Sequence, residues 1–172
     1  MDAAAQPMDA CPLCGAGAAV EAQAQTLALA GLGVAHIGFG HCDSCGHIHQ
    51  VRRASDALLR EHYAAYSNYT CFDPQAARAA PPGNLTRRLL SLAEARAPKG
   101  MAYEVGCATG YHLAHFRHAG WAVGGCDPSP KAVAQAREIF DIAVDCGTDA
   151  QMLPRRDGLA LVLFSHVLEH MV

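Results

Sequence analysis

Short apolar runs alternate with helical periods over the second half of the chain. Residues 101–105, 121–126, 141–145 and 159–165 read as strands, the last apolar nearly throughout. Between them, residues 110–118 and 129–140 carry helical spacing. Gly120 stops the first helix, while Ser129 and Pro130 supply the second with an N-cap and a first-turn proline. Strands that are apolar along their length belong in a parallel sheet covered on both faces. The alternation therefore predicts an α/β architecture.

Upstream, the pattern changes twice. Residues 27–36 and 38–42 are β-like stretches suited to a ribbon around glycine turns. From Ser55 to Tyr69 the period is helical, with Leu58, Leu59, His62, Tyr63 and Tyr66 on one face and Ser55 as N-cap. Tyr63, Tyr66 and Tyr69 read as a packed aromatic helix face or as a segment folded over a pocket. Pro74, Pro81, Pro82 and Gly83 mark a connector. Asn84 is placed to cap a further helix whose apolar side is Leu85, Leu89, Leu90 and Leu92. The expected organisation is a flexible tail over 1–10, a small module over 11–50, a helical linker over 51–83, and the strand–helix domain over 84–172.

Composition narrows the partners. Half of the 172 residues are hydrophobic, enough for a packed core, and the net charge is −3. No basic stripe suggests nucleic acid. The longest apolar stretch, 27–39, is interrupted by Gly31, Gly33, His36 and Gly38, so no membrane span is expected. No signal peptide is evident at the N-terminus, which makes the cytoplasm the default compartment.

That compartment decides how the eight cysteines are read. Cys11-Pro12-Leu13-Cys14-Gly15 and Cys42-Asp43-Ser44-Cys45-Gly46 are two Cys-x-x-Cys-Gly knuckles. Each puts two thiolates on one side of a tight turn, and the glycine can take positive φ. Together, Cys11, Cys14, Cys42 and Cys45 make a closed tetrahedral set suited to structural Zn²⁺. Two disulfides or unliganded thiols are the alternatives. His36, His41, His47 and His49 are surface or supporting residues on this reading. Cys71, Cys107, Cys126 and Cys146 show no pairing logic and read as small buried apolar residues.

The first strand of the domain runs into Glu104-Val105-Gly106-Cys107-Ala108-Thr109-Gly110, and a helix follows at once. Small residues let the backbone pass beneath a nucleoside, and a helix start offers free N–H groups. Asp127, ending the second strand, can accept both ribose hydroxyls of an adenosine. A dinucleotide loop wants glycine at its sixth position, which here is Tyr111. Without a bound nucleoside, the same glycines would only serve tight turns.

The spacing, with an acid two residues before Gly-x-Ala-x-Gly, resembles the class I S-adenosylmethionine (SAM)-dependent methyltransferases, with Ala108 in place of the middle glycine. Asp149-Ala150 before Leu153-Pro154 resembles the loop after the third strand of that family. Residues 161–170 resemble its fourth strand and the turn beyond. The knuckle pair, Tyr-rich linker and cofactor domain together resemble bacterial methyltransferases with an N-terminal zinc-ribbon, some of them nucleotide-sugar C-methyltransferases. The resemblance spans Cys11 to His170. It implies a Rossmann-like partial sheet of strand order 3-2-1-4. It also implies that Glu104 lies near the methionine end of the cofactor. Gly106, Ala108 and Gly110 would form the floor, with Asp127 and Pro128 at the ribose. Asp149 and Ala150 would meet the adenine, and Ser165 and His166 the methionine moiety.

His166 is the first candidate for a catalytic base, with Glu169 and His170 following; His166 as a pocket-shaping residue is the competing reading. The implied function is SAM-dependent methyl transfer to a small-molecule acceptor, a sugar nucleotide among the candidates. A catalytically incomplete SAM- and zinc-binding module and an NAD-type oxidoreductase are the alternatives. The family's domain continues with further strands after the fourth, so a fragment truncated at its C-terminus is expected.

Overall fold

A computed structural model describes residues 5–17, 20–29, 33–65, 73–147 and 158–168. The chain divides into two compact units, Met1–Tyr66 and Ser67–Val172.

The first unit is an antiparallel sheet followed by a helix. Its strands are β1 (Ala5–Pro7), β2 (Glu21–Leu29), β3 (Gly33–His41) and β4 (Ile48–Ala54), and helix α1 covers Asp56–Ala65. The strand order is β1-β4-β3-β2. Three expectations are corrected here. The stretch 27–36 is not one strand: Leu27 pairs with Ala35 and Leu29 with Gly33, so the chain reverses inside it. Residues 1–10 are not all tail. Ala5 pairs with Ala54 and Pro7 with Arg52, which satisfies backbone groups on that side of β4. The boundary expected at residue 50 falls inside β4, because its register with β1 and β3 continues past it.

Ser55 caps α1 as expected, accepting from the Leu58 N–H at 3.2 Å. Across β3, the Arg52 guanidinium grips the Glu21 carboxylate at 2.6 and 2.8 Å. Gly38 lies beneath that pair, where a Cβ would collide with the carboxylate. Among the described residues, the apolar side chains buried in this unit are Ala35, Ile37, Val51 and Ala54, beside Cys11 and Cys42.

The second unit alternates helix and strand. It runs α2 (Pro74–Ala79), α3 (Asn84–Arg96), β5 (Met101–Val105), α4 (Tyr111–His118), β6 (Ala122–Asp127), α5 (Pro130–Phe140), β7 (Asp145–Cys146) and β8 (Leu159–Phe164). All strand pairs are parallel, in the order β7-β6-β5-β8. That is the 3-2-1-4 arrangement the sequence implies. Apolar side chains pack on both sides of the sheet. One side carries Ala102, Phe116, Trp121 and Leu163, continued by Leu113, Ala136, Ile142 and Val144. The other carries Tyr103, Val105 and Cys126.

Local chemistry explains most boundaries. Ser129 caps α5 through a bond from the Ala132 N–H at 3.3 Å, with Pro130 in the first turn. Asn84 is not a cap; Gly83 holds that place without a side-chain bond, and Asn84 instead contacts Arg87. The third strand shrinks to two residues. Asp141 ends α5 at φ +53°, and Ile142 and Val144 turn into the core rather than pairing. Part of the expected linker belongs to this unit. Arg78 of α2 donates to the Glu138 and Ile139 carbonyls at 2.6 and 2.5 Å, and Arg117 of α4 to those of Phe140 and Asp141 at 2.5 and 2.9 Å. These four carbonyls close α5, where the helix leaves acceptors unfilled. Among the described residues, no helix is long and apolar enough to cross a membrane.

Phe116 is fully buried against Trp121, with ring centroids 5.8 Å apart in an edge-on contact. Truncating it to alanine is expected to cost about 3–5 kcal/mol, while Ser129→Ala costs about 1 kcal/mol. Denaturant unfolding of the intact chain, followed by fluorescence of Trp121, measures both.

Candidate cofactor site and metal centre

Three strand ends meet level with one another. Val105 pairs with Cys126 on one side and with Phe164 on the other. The loop leaving β5 therefore starts beside Asp127 and Ser165, at the carboxyl edge where open parallel sheets bind ligands. The loop turns back on itself through Gly106 at φ +67°, Ala108 at +47° and Gly110 at +77°. The N–H groups of Gly106 and Cys107 donate to the Cys126 carbonyl at 2.8 and 3.1 Å, and that of Gly110 donates to the Cys107 carbonyl at 2.8 Å. Gly110 then caps α4. Ala108 is the costly member, since a Cβ in the left-handed region is unfavourable by about 1–2 kcal/mol.

Asp127 holds this loop. Its Oδ2 accepts the Ala108 N–H at 2.8 Å and its Oδ1 accepts the Ser129 N–H at 2.9 Å. Burial pushes its carboxyl upward, against the pull of those two N–H groups. Each oxygen keeps a further lone pair for a ligand hydroxyl. Pro128, half-buried, follows at once.

Glu104 sits at the end of β5, only 2 % exposed. The Nδ1–H of His112 donates to its Oε1 at 2.8 Å. Its Oε2 is buried with no hydrogen-bond partner among the described residues. Burial raises this carboxyl, His112 pulls it down, and the charge of Asp127 raises it further. Ser165 is half-buried and His166 exposed directly after β8, with His166 at φ +55°. Val167 fills the space where a side chain on Gly106 would stand. Asp149, Ala150, Leu153, Pro154, Glu169 and His170 lie outside the described residues, as do Tyr66, Tyr69 and Cys71.

Two residues play parts that sequence reasoning missed. His112 carries no motif signal, and only its place in the first turn of α4 brings it over Glu104. Tyr111 does more than break a glycine pattern. Its hydroxyl donates to the Pro81 carbonyl at 2.7 Å and accepts the Gly83 N–H at 3.2 Å, which fastens the connector to the start of α4. Cavities of about 400 and 600 Å³ lie elsewhere in this unit, one beside α2, α4 and α5, the other along β5 and β6 with Leu159. The loop lines neither, so the site rests on backbone and carboxylate geometry.

In the first unit, the two cysteine knuckles are built alike. The Gly15 N–H donates to the Cys11 carbonyl at 2.9 Å, and the Gly46 N–H to the Cys42 carbonyl at 2.8 Å. Both glycines have positive φ, +72° and +73°. Cys11 and Cys42 are buried while Cys14 and Cys45 are exposed. Their sulfurs all lie within 4.8 Å of one another, with Cys11–Cys45 at 3.8 Å and Cys14–Cys42 at 3.6 Å. Zinc–sulfur bonds of about 2.3 Å in a tetrahedron put neighbouring sulfurs about 3.8 Å apart.

No disulfide joins these four. The Cys45 backbone N–H is the largest influence on Cys42 and brings its thiol down to about 6, against desolvation. Cys45 is pushed up to about 12: the His47 N–H pulls it down, but the Cys14 sulfur, desolvation and the Cys42 and Cys11 sulfurs outweigh that pull. Four sulfurs this close cannot all ionise without a cation among them. The donor set therefore fits a closed zinc site. The nearby histidines are engaged elsewhere: His36 Nδ1 lies 3.0 Å from Thr26 Oγ1, His41 Nε2 3.1 Å from an Asp43 oxygen, and His47 stacks on His49.

The metal reading predicts one zinc per chain by elemental analysis. A chelator is expected to remove zinc together with the β-sheet signal of the first unit, since such binding supplies on the order of 10 kcal/mol of folding free energy. The buried carboxyls make a separate prediction. Glu104 and Asp127 both titrate above their unfolded values, so the native state binds more protons than the unfolded chain over that range. Stability of the ligand-free protein should therefore fall as pH rises from the ordinary carboxylate range through the raised values. Glu104→Gln should raise the melting temperature near pH 7 and flatten its pH dependence. Melting curves from about pH 4 to about 8 read this directly.

Residues 103–172 match the family model described as a methyltransferase domain. No curated protein matches the chain. Among solved structures, the chain is similar to one reported for the conversion of a disulfide bond into a thioacetal group during echinomycin biosynthesis. The identity is 22% and the TM-score 0.47, over 63% of this chain and 47% of that one. The chain thus spans about half the length of that protein. The matched residues, 103–172, contain the glycine loop, all four parallel strands from Tyr103 onward and the two strand-end carboxylates, so the similarity to a methyltransferase domain falls on the part of the chain that builds this site.

Proposed function

We propose that this chain transfers a methyl group from SAM to a small-molecule acceptor, with a sugar nucleotide as the acceptor class to test first. The observation that carries the reading is the pair of buried carboxylates, Glu104 and Asp127, at the ends of adjacent parallel strands on either side of the glycine loop. SAM supplies a methyl group on a cationic sulfur, next to a ribose and an ammonium group. Asp127 has lone pairs left for the ribose hydroxyls. The unpartnered oxygen of Glu104 suits the cationic end. The backbone of Gly106, Ala108 and Gly110 forms the floor, and Pro128, Asp149 and Ala150 complete the nucleoside side on this reading.

Transfer is an in-line displacement, so the chain's chief task is alignment of acceptor and cofactor. Ser165 and His166 stand where β8 ends, and His166 is the residue we assign to take a proton from the acceptor. Its left-handed backbone is an uncommon conformation of the kind found at functional sites. The zinc centre is structural, since four sulfurs leave no open position. A thiolate site of this kind goes with a reducing compartment, and we place the protein in the cytoplasm. A second reading is a SAM- and zinc-binding module without turnover. An NAD-type activity is disfavoured by Tyr111, whose hydroxyl is bonded to the connector and whose ring packs edge-on against His115.

Calorimetry with SAM and with NADH separates these. Binding of SAM is expected; heat from NADH alone would sink the proposal. His166→Ala should lower turnover about 100-fold or more, a larger loss than any weakening of SAM binding, since His166 also borders the methionine moiety on this reading. Unchanged turnover would remove His166 from the base role. SAM binding without turnover on any sugar nucleotide would favour the module.

A further inference from the structure

The polar groups around the glycine loop are not used equally. Both oxygens of Asp127 are tied to backbone N–H groups. Glu104 is different: one oxygen is held by a side chain and the other has no partner among the described residues, although the residue is only 2 % exposed. A buried carboxylate oxygen left unmatched costs free energy unless a ligand completes it. Carboxyl torsions are soft, so without a tether that oxygen has no fixed direction.

His112 is the tether. It lies in the first turn of α4, and Gly110 starts that helix directly from the loop. Its Nδ1 is 2.8 Å from Glu104 Oε1, while the ring stays 20% exposed. On the next turn, His115 packs edge-on against Tyr111, at 4.7 Å between centroids. Tyr111 in turn is pinned to Pro81 and Gly83. The first turn of α4 is thus fixed from outside while His112 reaches inward.

We propose that His112 is a positioning residue for cofactor recognition: by holding Oε1 of Glu104, it presents Oε2 to the ammonium group of the cofactor's amino-acid arm. His112 itself need not touch the cofactor. The inference rests on the SAM reading of the loop given above. It assigns the amino-acid arm, and not the adenosine, to the Glu104–His112 pair.

The test compares two ligands by calorimetry on the full chain: SAM, and 5′-methylthioadenosine, which keeps the adenosine and thioether but lacks the amino-acid arm. His112→Ala is expected to weaken SAM about tenfold or more and to leave methylthioadenosine unchanged, which also shows that the variant is folded. His112→Asn, whose side-chain N–H can replace Nδ1–H, should recover most of the SAM affinity. Equal weakening of both ligands by His112→Ala, or no weakening of either, overturns the proposal. So does an Asn variant as weak as the alanine one. A wild-type chain that binds neither ligand overturns the SAM reading itself, a result distinct from all of these.

Discussion

One carboxylate ties the second unit of this protein together. Asp127 ends β6, yet its two oxygens bind the N–H of Ala108 in the preceding loop and that of Ser129 at the start of α5. Strand, loop and helix are thereby joined at the point where the sheet offers a ligand its carboxyl edge. Gly106 and Gly110 take positive φ freely, whereas Ala108 does so against its Cβ and is held there by the bond from its N–H to Asp127. Remove Asp127 and Ala108 has no reason to stay in the left-handed region.

The first unit solves a different problem with a different staple. Its sheet is long in hydrogen bonds and short in buried apolar area, so burial alone is a weak source of stability for it. The two knuckles compensate by gathering four sulfurs within 4.8 Å. Their matching backbone bonds and left-handed glycines show that one local design is used twice. Cys42 shows what the backbone contributes, since the Cys45 N–H leads the groups that lower its thiol, ahead of the Ser44 N–H and the neighbouring sulfurs.

Much of this was legible in the residues, for physical reasons that differ by element. The parallel sheet followed from apolar strands alternating with helices, because tertiary packing on both faces leaves a continuous apolar run; its strand order came only from the family resemblance. The Ser129 cap and the cysteine knuckles were legible because their chemistry is local. The β2–β3 reversal was not: a run of small and apolar residues looks the same whether it continues or folds back, and only the pairing of Leu29 with Gly33 decides. The strand at Ala5–Pro7 was hidden because its partner, Arg52 to Ala54, is distant in sequence. The third strand was overread, since Ile142 and Val144 are apolar for the sake of the helical face and not for pairing.

The site residues divide along the same line. Glu104, Gly106, Ala108 and Asp127 announce themselves through spacing, because backbone geometry near a nucleoside constrains adjacent residues. His112 does not, because its role depends on the angle at which α4 leaves the loop. Tyr111 shows why that angle holds. A glycine at its position would allow close helix–strand packing, whereas the tyrosine reaches outward and anchors Pro81 and Gly83. The residue that departs from the dinucleotide pattern is thus also the one that steadies the helix carrying His112. One side chain thus both breaks the dinucleotide spacing and ties the start of α4 to the connector, one residue before the histidine that meets Glu104.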